Sequence, residues 1–209
     1  MQADNFFSPA EKETIAQCIG RVEKETAGEI VVLVANQSDR YPEGPLMAGI
    51  ILGTLAALVA TDLFLHDSLW LFLPLATMAA FAIGWLTSRV PALKRLFLSQ
   101  ARVQEEVVQR ALQVFYEKGL HKTKDATGVL FFISLLERKV WVLADQGIHQ
   151  KISQETLSQH AISVATGIKQ GRAAQALCLE IEKVGTILAQ HFPIKPDDTN
   201  ELPNEVQTA

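Results

Sequence analysis

Cysteine is scarce in this sequence, and positive charge is not in excess. The 209 residues include only two cysteines, Cys18 and Cys178, which are far apart and lack metal-ligand spacing. We expect them to be buried, reduced thiols in helices, although a disulfide between them stays open. The formal charge of −4 offers no basic face of the kind that nucleic acid needs. Nucleic acid is therefore not among the expected partners.

Motifs of catalysis are also missing. The sequence contains no glycine-rich phosphate loop, no nucleophile elbow, and no Ser/His/Asp arrangement that the predicted topology would bring together. The histidines His121, His149, His160 and His191 lack the paired spacing of a zinc site, so solvated or hydrogen-bonded side chains are the default interpretation. His121 and His149 are kept as candidate metal ligands or general bases.

Two runs with almost no charge lie back to back in the middle of the chain. Residues 46–65 contain a single charged side chain, Asp62, and residues 69–86 contain none. Each run would form a helix roughly 27–30 Å long, about the thickness of a bilayer core. Neither run has a polar face to turn to water, which disfavours two buried helices of a soluble protein. We therefore predict a transmembrane helical hairpin over residues 46–86, with Asp62 as an anchor near the interface.

Flanking charge predicts the orientation of this hairpin. The connecting residues 66–68 contain no Lys or Arg, whereas four basic residues follow the second run: Arg89, Lys94, Arg95 and Arg102. The positive-inside rule then places both chain ends in the cytoplasm, and the predicted location is the inner (cytoplasmic) membrane with two spans. The first residues lack the basic and apolar regions of a cleaved signal peptide, so the hairpin itself is expected to drive insertion.

Helix and strand signals surround the hairpin. Residues 8–28 open with a capping box from Ser8 to Glu11 and predict an amphipathic helix. The β-branched stretch 29–35 predicts a strand that is buried on both faces. Beyond the hairpin the pattern predicts a helix, two strands joined by a tight turn, and two further helices: 101–118, 128–135, 140–144, 153–166 and 172–190. The polar residues 193–209 are expected to form a tail.

The order of these elements predicts the topology. A strand, a helix and a second strand imply a parallel pair with a right-handed crossover, and the tight turn implies an antiparallel third strand. The predicted fold class is α/β, with a small mixed sheet (a parallel βαβ unit plus an antiparallel hairpin) flanked by helices and with the transmembrane hairpin inserted in the first crossover. The predicted divisions are two parts of one α/β domain at 8–40 and 96–192, the hairpin at 46–86 (spans 46–65 and 69–86), and the tail at 193–209.

Several segments resemble the TPM-domain family. The resemblance rests on TAGEIVV at 26–32, GLHKT at 119–123 and GVLFFISLLERKVWVLADQGI at 128–148. HFP at 191–193 and DDTNELP at 197–203 are similar to the bacterial membrane-protein branch of that family, in which a two-span insert is usual. The resemblance extends from about residue 7 to residue 203 and implies an α/β sandwich with helices on a small mixed sheet.

The resemblance also implies possible chemistry. A divalent-cation site, usually described with calcium, and an acid-phosphatase activity have been proposed for the thylakoid relatives of this family. Exported relatives usually have a glycine-aromatic-glycine-x-glutamate turn after the third strand. Here the turn reads Asp145-Gln146-Gly147-Ile148-His149, with aspartate where that pattern begins with glycine and histidine where it ends with glutamate.

Three carboxylates are predicted to meet at one edge of the sheet. Glu29 and Gly128 begin their parallel strands at the edge where the third strand ends before Asp145, and Asp125 lies just before Gly128. Hard cations such as Ca²⁺ and Mg²⁺ prefer oxygen ligands of this kind. Glu29, Asp125 and Asp145 are therefore candidate ligands of Ca²⁺ or another divalent cation. Alternatively, Glu29 and Asp125 are solvated helix-end and turn residues paired with Lys122 and Lys124.

Two functions of different classes follow from the sequence, and whether the chain is an enzyme stays open. The first is a membrane-anchored, TPM-like module that serves as a cytoplasmic-side interaction or assembly factor for a membrane complex. Its expected partners are the lipid bilayer and a membrane protein, and its basis is a complete fold with an anchor but no nucleophile. The alternative is a metal-dependent (Ca²⁺ or Mg²⁺) phosphoester hydrolase of the acid-phosphatase type, which would need a metal-activated water.

Overall fold

The structure of the chain is a computed structural model that describes residues 2–64, 69–194 and 200–209. The helices are α1 (Pro9–Val22), α2 (Glu43–Phe64), α3 (Leu69–Arg89), α4 (Pro91–Leu96), α5 (Gln100–Glu117), α6 (Gln146–His149), α7 (Gln154–Lys169) and α8 (Ala173–His191). The strands are β1 (Glu29–Ala35), β2 (Gly128–Ser134), β3 (Lys139–Ala144) and β4 (Gln207–Thr208). The chain divides into two compact units, a sheet unit of residues 1–38 and 106–209 and a hairpin unit of residues 39–105.

Helix α1 begins where the sequence predicts. The Ser8 hydroxyl accepts the Glu11 N–H at 3.3 Å, and the Glu11 carboxylate accepts the Ser8 N–H at 2.8 Å. This reciprocal capping box satisfies two N–H groups that the helix itself leaves without partners. Pro9 follows at the first helical position, where its missing N–H costs nothing. One stripe of α1 is buried in the core: Ile15, Cys18, Ile19 and Val22.

Four strands form one mixed sheet in the order β3–β2–β1–β4. β1 runs parallel to β2, with Glu29 opposite Gly128, and β3 runs antiparallel to β2, with Ala144 opposite Val129. Every residue of β1 is buried, which confirms the prediction of a strand covered on both faces, and every residue of β2 is buried as well. The parallel pair and the antiparallel neighbour are also as predicted.

Helices cover both faces of the sheet. α1, α7 and α8 pack over one face, where Ile30, Val32 and Val34 of β1 point. The part of α5 from Glu106 onward packs over the other face, against Val31 and Leu33. The fold is therefore the predicted α/β arrangement, a small mixed sheet flanked by helices.

The end of the chain contributes β4, a strand that the sequence pattern does not predict. Gln207 pairs with Leu33 in a parallel register, and the Ala209 N–H donates to the Val34 carbonyl oxygen at 3.0 Å. The strand has only two residues, which is too short for a period-two pattern to show. Of the predicted tail at 193–209, residues 195–199 lie outside the described part of the structure.

In the hairpin unit, α2 and α3 pack side by side through small residues. A Cβ placed on Gly49 or on Gly53 would lie 2.5 Å from the backbone of Ala80, so the two helix backbones are in close contact. α2 begins at Glu43, ahead of the predicted span 46–65, and α3 continues to Arg89, past the end of the predicted span 69–86. The predicted connection at 66–68 lies outside the described residues. The short helix α4, with Pro91 at its first position, was not predicted.

Candidate functional site

The edge at which β1 and β2 begin is the place where the sequence predicts carboxylates to meet. Glu29 lies opposite Gly128, and the Asp145 N–H donates to the Gly128 carbonyl oxygen at 2.9 Å. The backbone of Asp125 lies at the same edge, because a Cβ on Gly147 would be 2.8 Å from its carbonyl oxygen. The backbone therefore places all three acidic residues at one edge of the sheet.

The acidic side chains at this edge have protein partners. Glu29 Oε1 accepts the Glu201 N–H at 3.0 Å, and Asp145 Oδ1 accepts the Gln146 N–H at 2.7 Å at the start of α6. In the described part of the chain, no three Asp, Glu, His or Cys side chains are grouped so that they could hold a metal ion. Glu29, Asp125 and Asp145 thus do not form a ligand set as they stand, and the cation site stays a prediction from the sequence.

The segment of residues 200–209, which we call the C-terminal strap, runs along this side of the sheet. Glu201 donates its N–H to Glu29, and its carboxylate accepts an N–H from the loop before β2 at 3.3 Å. Leu202 then packs against the core on the α5 face, and Val206 packs against the core on the α1 face. The strap therefore supplies main-chain groups to the acidic edge.

A cavity of about 600 Å³ lies beside this edge, between the end of α1, the start of β1 and the strap. Small-molecule sites are typically clefts of roughly 300–1,000 Å³ with a few convergent polar groups. Here charges of both signs and several amides line the cavity: Arg21, Glu23, Lys24, Glu29, Gln17, Asn200 and Asn204. The arrangement is suited to a small polar molecule with both donors and acceptors.

Glu23 is a carboxyl at this cavity with a strongly raised pKa. Burial raises the pKa of Glu23 to about 8, and the nearby charge of Glu29 acts in the same direction, against the hydrogen bond from the Ile30 N–H at 3.0 Å. A carboxyl with such a pKa takes up and releases a proton near neutral pH, the range in which general acids and bases work. Glu23 was not predicted as a site residue, because no pattern in the sequence distinguishes it from Glu25 two residues further along.

The histidines have contacts within the sheet unit. The ring of His121 lies 4.8 Å from that of Tyr116, centroid to centroid, and His149 is exposed at the end of α6. His160 Nδ1 lies 2.7 Å from Glu180 Oε2, which joins α7 to α8. The candidate roles of His121 and His149 as metal ligands or bases stay predictions.

The outer surface of the hairpin unit is apolar. α2 and α3 are two helices long and apolar enough to cross a membrane. Large apolar side chains on them are highly exposed, among them Trp70 at 88%, Phe81 at 77% and Phe64 at 74%. In monomeric soluble proteins contiguous exposed apolar patches are rarely larger than a few hundred Å².

The basic residues at the end of α3 and after it divide into two groups. Arg102 pairs with Glu43 at 2.7 Å and with Asp39 at 3.7 Å, and Lys94 is buried with its Nζ 5.6 Å from the ring centroid of Tyr41. Arg89 instead stacks on Trp85, with 4.4 Å between its guanidinium carbon and the ring centroid, and is exposed to the surroundings.

The fold and the residues of the sheet edge define an α/β domain of a known type. Residues 94–186 match the family model of the TPM domain, and the chain is therefore identified as one that contains a TPM domain. This confirms the resemblance drawn from the sequence; assignment to the bacterial membrane-protein branch with a two-span insert stays a prediction.

A solved structure shares this fold. The BA42 protein from the psychrophilic bacterium Bizionia argentinensis, determined by NMR, superposes with a TM-score of 0.61 over 98% of this chain and 96% of that chain, at 22% sequence identity. At this identity the likeness concerns the fold alone. No curated protein matches the sequence.

Proposed function

We propose that this protein is a membrane-anchored TPM-domain module of the cytoplasmic face of the inner membrane, where it acts as an interaction or assembly factor for a membrane complex. The observation that carries the proposal is the surface of α2 and α3, which exposes large apolar side chains on helices of 22 and 21 residues. A helix of about 20 apolar residues matches the thickness of a bilayer core. Small residues between the two helices agree with the way that helices pack in lipid.

The membrane anchor is tested by fractionation of cells that express the full chain. We expect the protein to stay in the membrane pellet after alkaline carbonate extraction, because two apolar spans are held by the bilayer and not by surface charge. Leu55→Arg places a charge near the middle of α2, where it costs roughly 2.5–3.5 kcal/mol, and should reduce insertion.

Ile162→Arg is the matched control for that substitution. Ile162 in α7 is 57% exposed, comparable to Leu55 at 55%, but it belongs to the sheet unit. The control should leave membrane retention unchanged. Full release of the unmodified chain by carbonate would contradict the anchor.

The orientation and the partner are tested separately. Protease added outside intact spheroplasts should leave the sheet unit intact, because both parts of it are proposed to face the cytoplasm. Affinity capture of the full chain from detergent-solubilised membranes should recover a reproducible membrane-protein partner. Its absence in repeated captures would count against the interaction role and not against the anchor.

Metal-dependent phosphoester hydrolysis is the second candidate function. It is supported by the TPM match and by the backbone arrangement that places Glu29, Asp125 and Asp145 at one edge, and no nucleophile is assigned to it. The full chain with Ca²⁺, Mg²⁺ or Mn²⁺ would then cleave a generic phosphoester and lose this activity in Asp125→Asn. Inactivity with all three metals would end this candidate.

A further inference from the structure

A groove of about 510 Å³ runs along one side of the hairpin unit, between α2 and α3. Its floor is formed where the small residues of the two helices meet, and its sides carry large apolar side chains that are 51–77% exposed. The residues that define it are Ala80 and Gly84 on the floor and Leu46, Ile50, Phe81 and Trp85 on the sides.

The groove has the length of one leaflet. On α2 its lining extends from Pro45 to Thr54. Nine steps of 1.5 Å make this about 14 Å, which is half of the roughly 30 Å hydrocarbon core of a bilayer. A helix of a neighbouring protein would be expected to follow α2 and α3 over the full depth of the membrane. A groove that covers half of that depth fits an acyl chain of a single lipid better.

Positive charge lies at the open end of the groove. Trp85 lines the groove, and the Arg89 guanidinium stacks on its ring one helical turn further along α3. Arg95 follows on α4 and is partly exposed. Within the described residues neither Arg89 nor Arg95 forms an ion pair with a carboxylate, in contrast to Arg102. Two guanidinium groups are therefore available to an anionic group at the membrane surface.

We infer that this groove binds an anionic phospholipid of the leaflet that faces Arg89 and Arg95. The acyl chain lies between the side chains of Leu46, Ile50 and Phe81, and the phosphate accepts hydrogen bonds from the arginines, whose planar donors suit phosphate oxygens. The inference rests on the membrane anchor proposed above. It adds the class of lipid and the residues that select it.

The test uses the full chain reconstituted in phosphatidylcholine vesicles that contain spin-labelled phosphatidylglycerol or spin-labelled phosphatidylcholine. We expect phosphatidylglycerol to show the larger motionally restricted fraction, with a preference of up to roughly fivefold per guanidinium. In the double variant Arg89→Gln and Arg95→Gln this preference should disappear. The double control Lys151→Gln and Lys169→Gln removes two charges from the sheet unit and should keep it.

Substitutions in the groove test the position of the acyl chain. Thr54→Trp fills the inner end of the groove and should reduce the restricted fraction of both lipids. Leu58→Trp is the control, because Leu58 is 56% exposed on the same helix but does not line the groove. An equal effect of the two substitutions would overturn the inference.

The remaining outcomes separate this inference from the membrane anchor. Equal restricted fractions for the two lipids, in a chain that resists carbonate extraction from the vesicles, would overturn the lipid site alone. Extraction of the chain by carbonate would overturn the anchor. If Thr54→Trp abolishes cross-linking between copies of the chain and leaves both lipids unaffected, the occupant is a second copy and the lipid inference is wrong.

Discussion

Glu23 and Glu25 differ by two positions in the sequence but have different surroundings. Glu23 borders the cavity beside the strap, where burial raises its pKa to about 8, whereas the side chain of Glu25 is exposed. The raised pKa means that the folded protein binds a proton on Glu23 more tightly than the unfolded chain does. Protonation of Glu23 therefore stabilises the fold fully below the ordinary pKa of 4.5, and this stabilisation is lost as pH rises through about 8.

Glu23→Gln should remove this dependence on pH. In the unmodified chain we expect the free energy of opening of β1 and β2 to fall between pH 5 and pH 8, by at most roughly 1.4 kcal/mol per pH unit. This free energy of opening is measured by amide hydrogen exchange of the two strands, corrected for the intrinsic effect of pH. Glu25→Gln is the control and should retain the slope of the unmodified chain. Parallel profiles for the unmodified chain and Glu23→Gln would contradict the assignment.

Cys18 and Cys178 are far apart in the sequence and adjacent in the structure. The Cys18 Sγ lies 3.5 Å from the Cys178 carbonyl oxygen, between α1 and α8. The hydrogen bond from the Cys18 thiol lowers the pKa of Cys178, whereas that of Cys18 is raised. Cys18 is buried, as the sequence predicts, whereas Cys178 is partly exposed, and the open alternative of a disulfide acquires a geometric basis.

We expect diamide to link the two cysteines within one chain. Two S–H bonds break and one S–S bond forms, and two electrons and two protons pass to the azo group of diamide. Intact-mass measurement under denaturing conditions should show a loss of about 2 Da that dithiothreitol reverses. Cys18→Ser should abolish it. Only intermolecular cross-links in the unmodified chain would show that the two thiols do not meet.

For the residues of the candidate site, only part of the arrangement could be predicted from the sequence. The positions of Glu29 and Asp145 at one edge follow from the strand order, which the hydrophobic pattern specifies. The hydrogen bond from the Glu201 N–H to Glu29 could not be predicted, because Glu201 belongs to a segment without any periodic signal. Glu23 was missed for a related reason: its raised pKa comes from burial in the folded chain, which no sequence pattern shows.

Among the elements, the strap is held by two apolar side chains and a short strand. Val206→Asp would place a charge against the core on the α1 face, so we expect the strap to detach. The Asn36 N–H, which donates to the Ala209 carbonyl oxygen at 3.1 Å, should then exchange faster with solvent. Glu205→Asp at the neighbouring position is the control and should leave this amide protected. Unchanged protection of Asn36 in Val206→Asp would show that the strap does not depend on Val206.

Close contact between α2 and α3 depends on Gly53. A side chain there would meet the Ala80 backbone, so Gly53→Leu should push the helices apart. We expect the hairpin to open at a lower SDS fraction in mixed micelles, as followed by the fluorescence of Trp70 and Trp85. Leu55→Ile changes an outward-facing residue of the same helix and should shift the transition little. Equal transitions in Gly53→Leu and Leu55→Ile would refute the role of this contact.

The elements differ in how far the sequence predicts them. α1 has a capping box, and β1 has seven consecutive residues that favour a buried strand, so both could be placed closely. α4 has six residues and β4 has two, and neither provides a full period of any pattern. The start of α2 and the end of α3 lie outside the apolar runs, because helical geometry continues through residues that an apolar pattern does not include.

For the whole molecule, hydrophobic pattern and chain order were sufficient to predict the fold class. Two separated parts of the sequence complete one sheet, since a single helix and strand cannot bury their apolar faces. The sequence also predicts an even number of spans, which requires residues 8–40 and 96–192 to share one side of the membrane. The fractionation and protease experiments test that placement.

The pairing of β1 with β2 has a consequence for synthesis of the protein. Once the ribosome has made Ala35, it must add about 100 further residues before Ser134 completes the neighbouring strand, which takes roughly 5–20 s at bacterial rates. Throughout this interval the segment EIVVLVA has no partner, and such apolar segments tend to aggregate. We therefore expect a nascent chain of this protein to be prone to aggregation until its second half emerges.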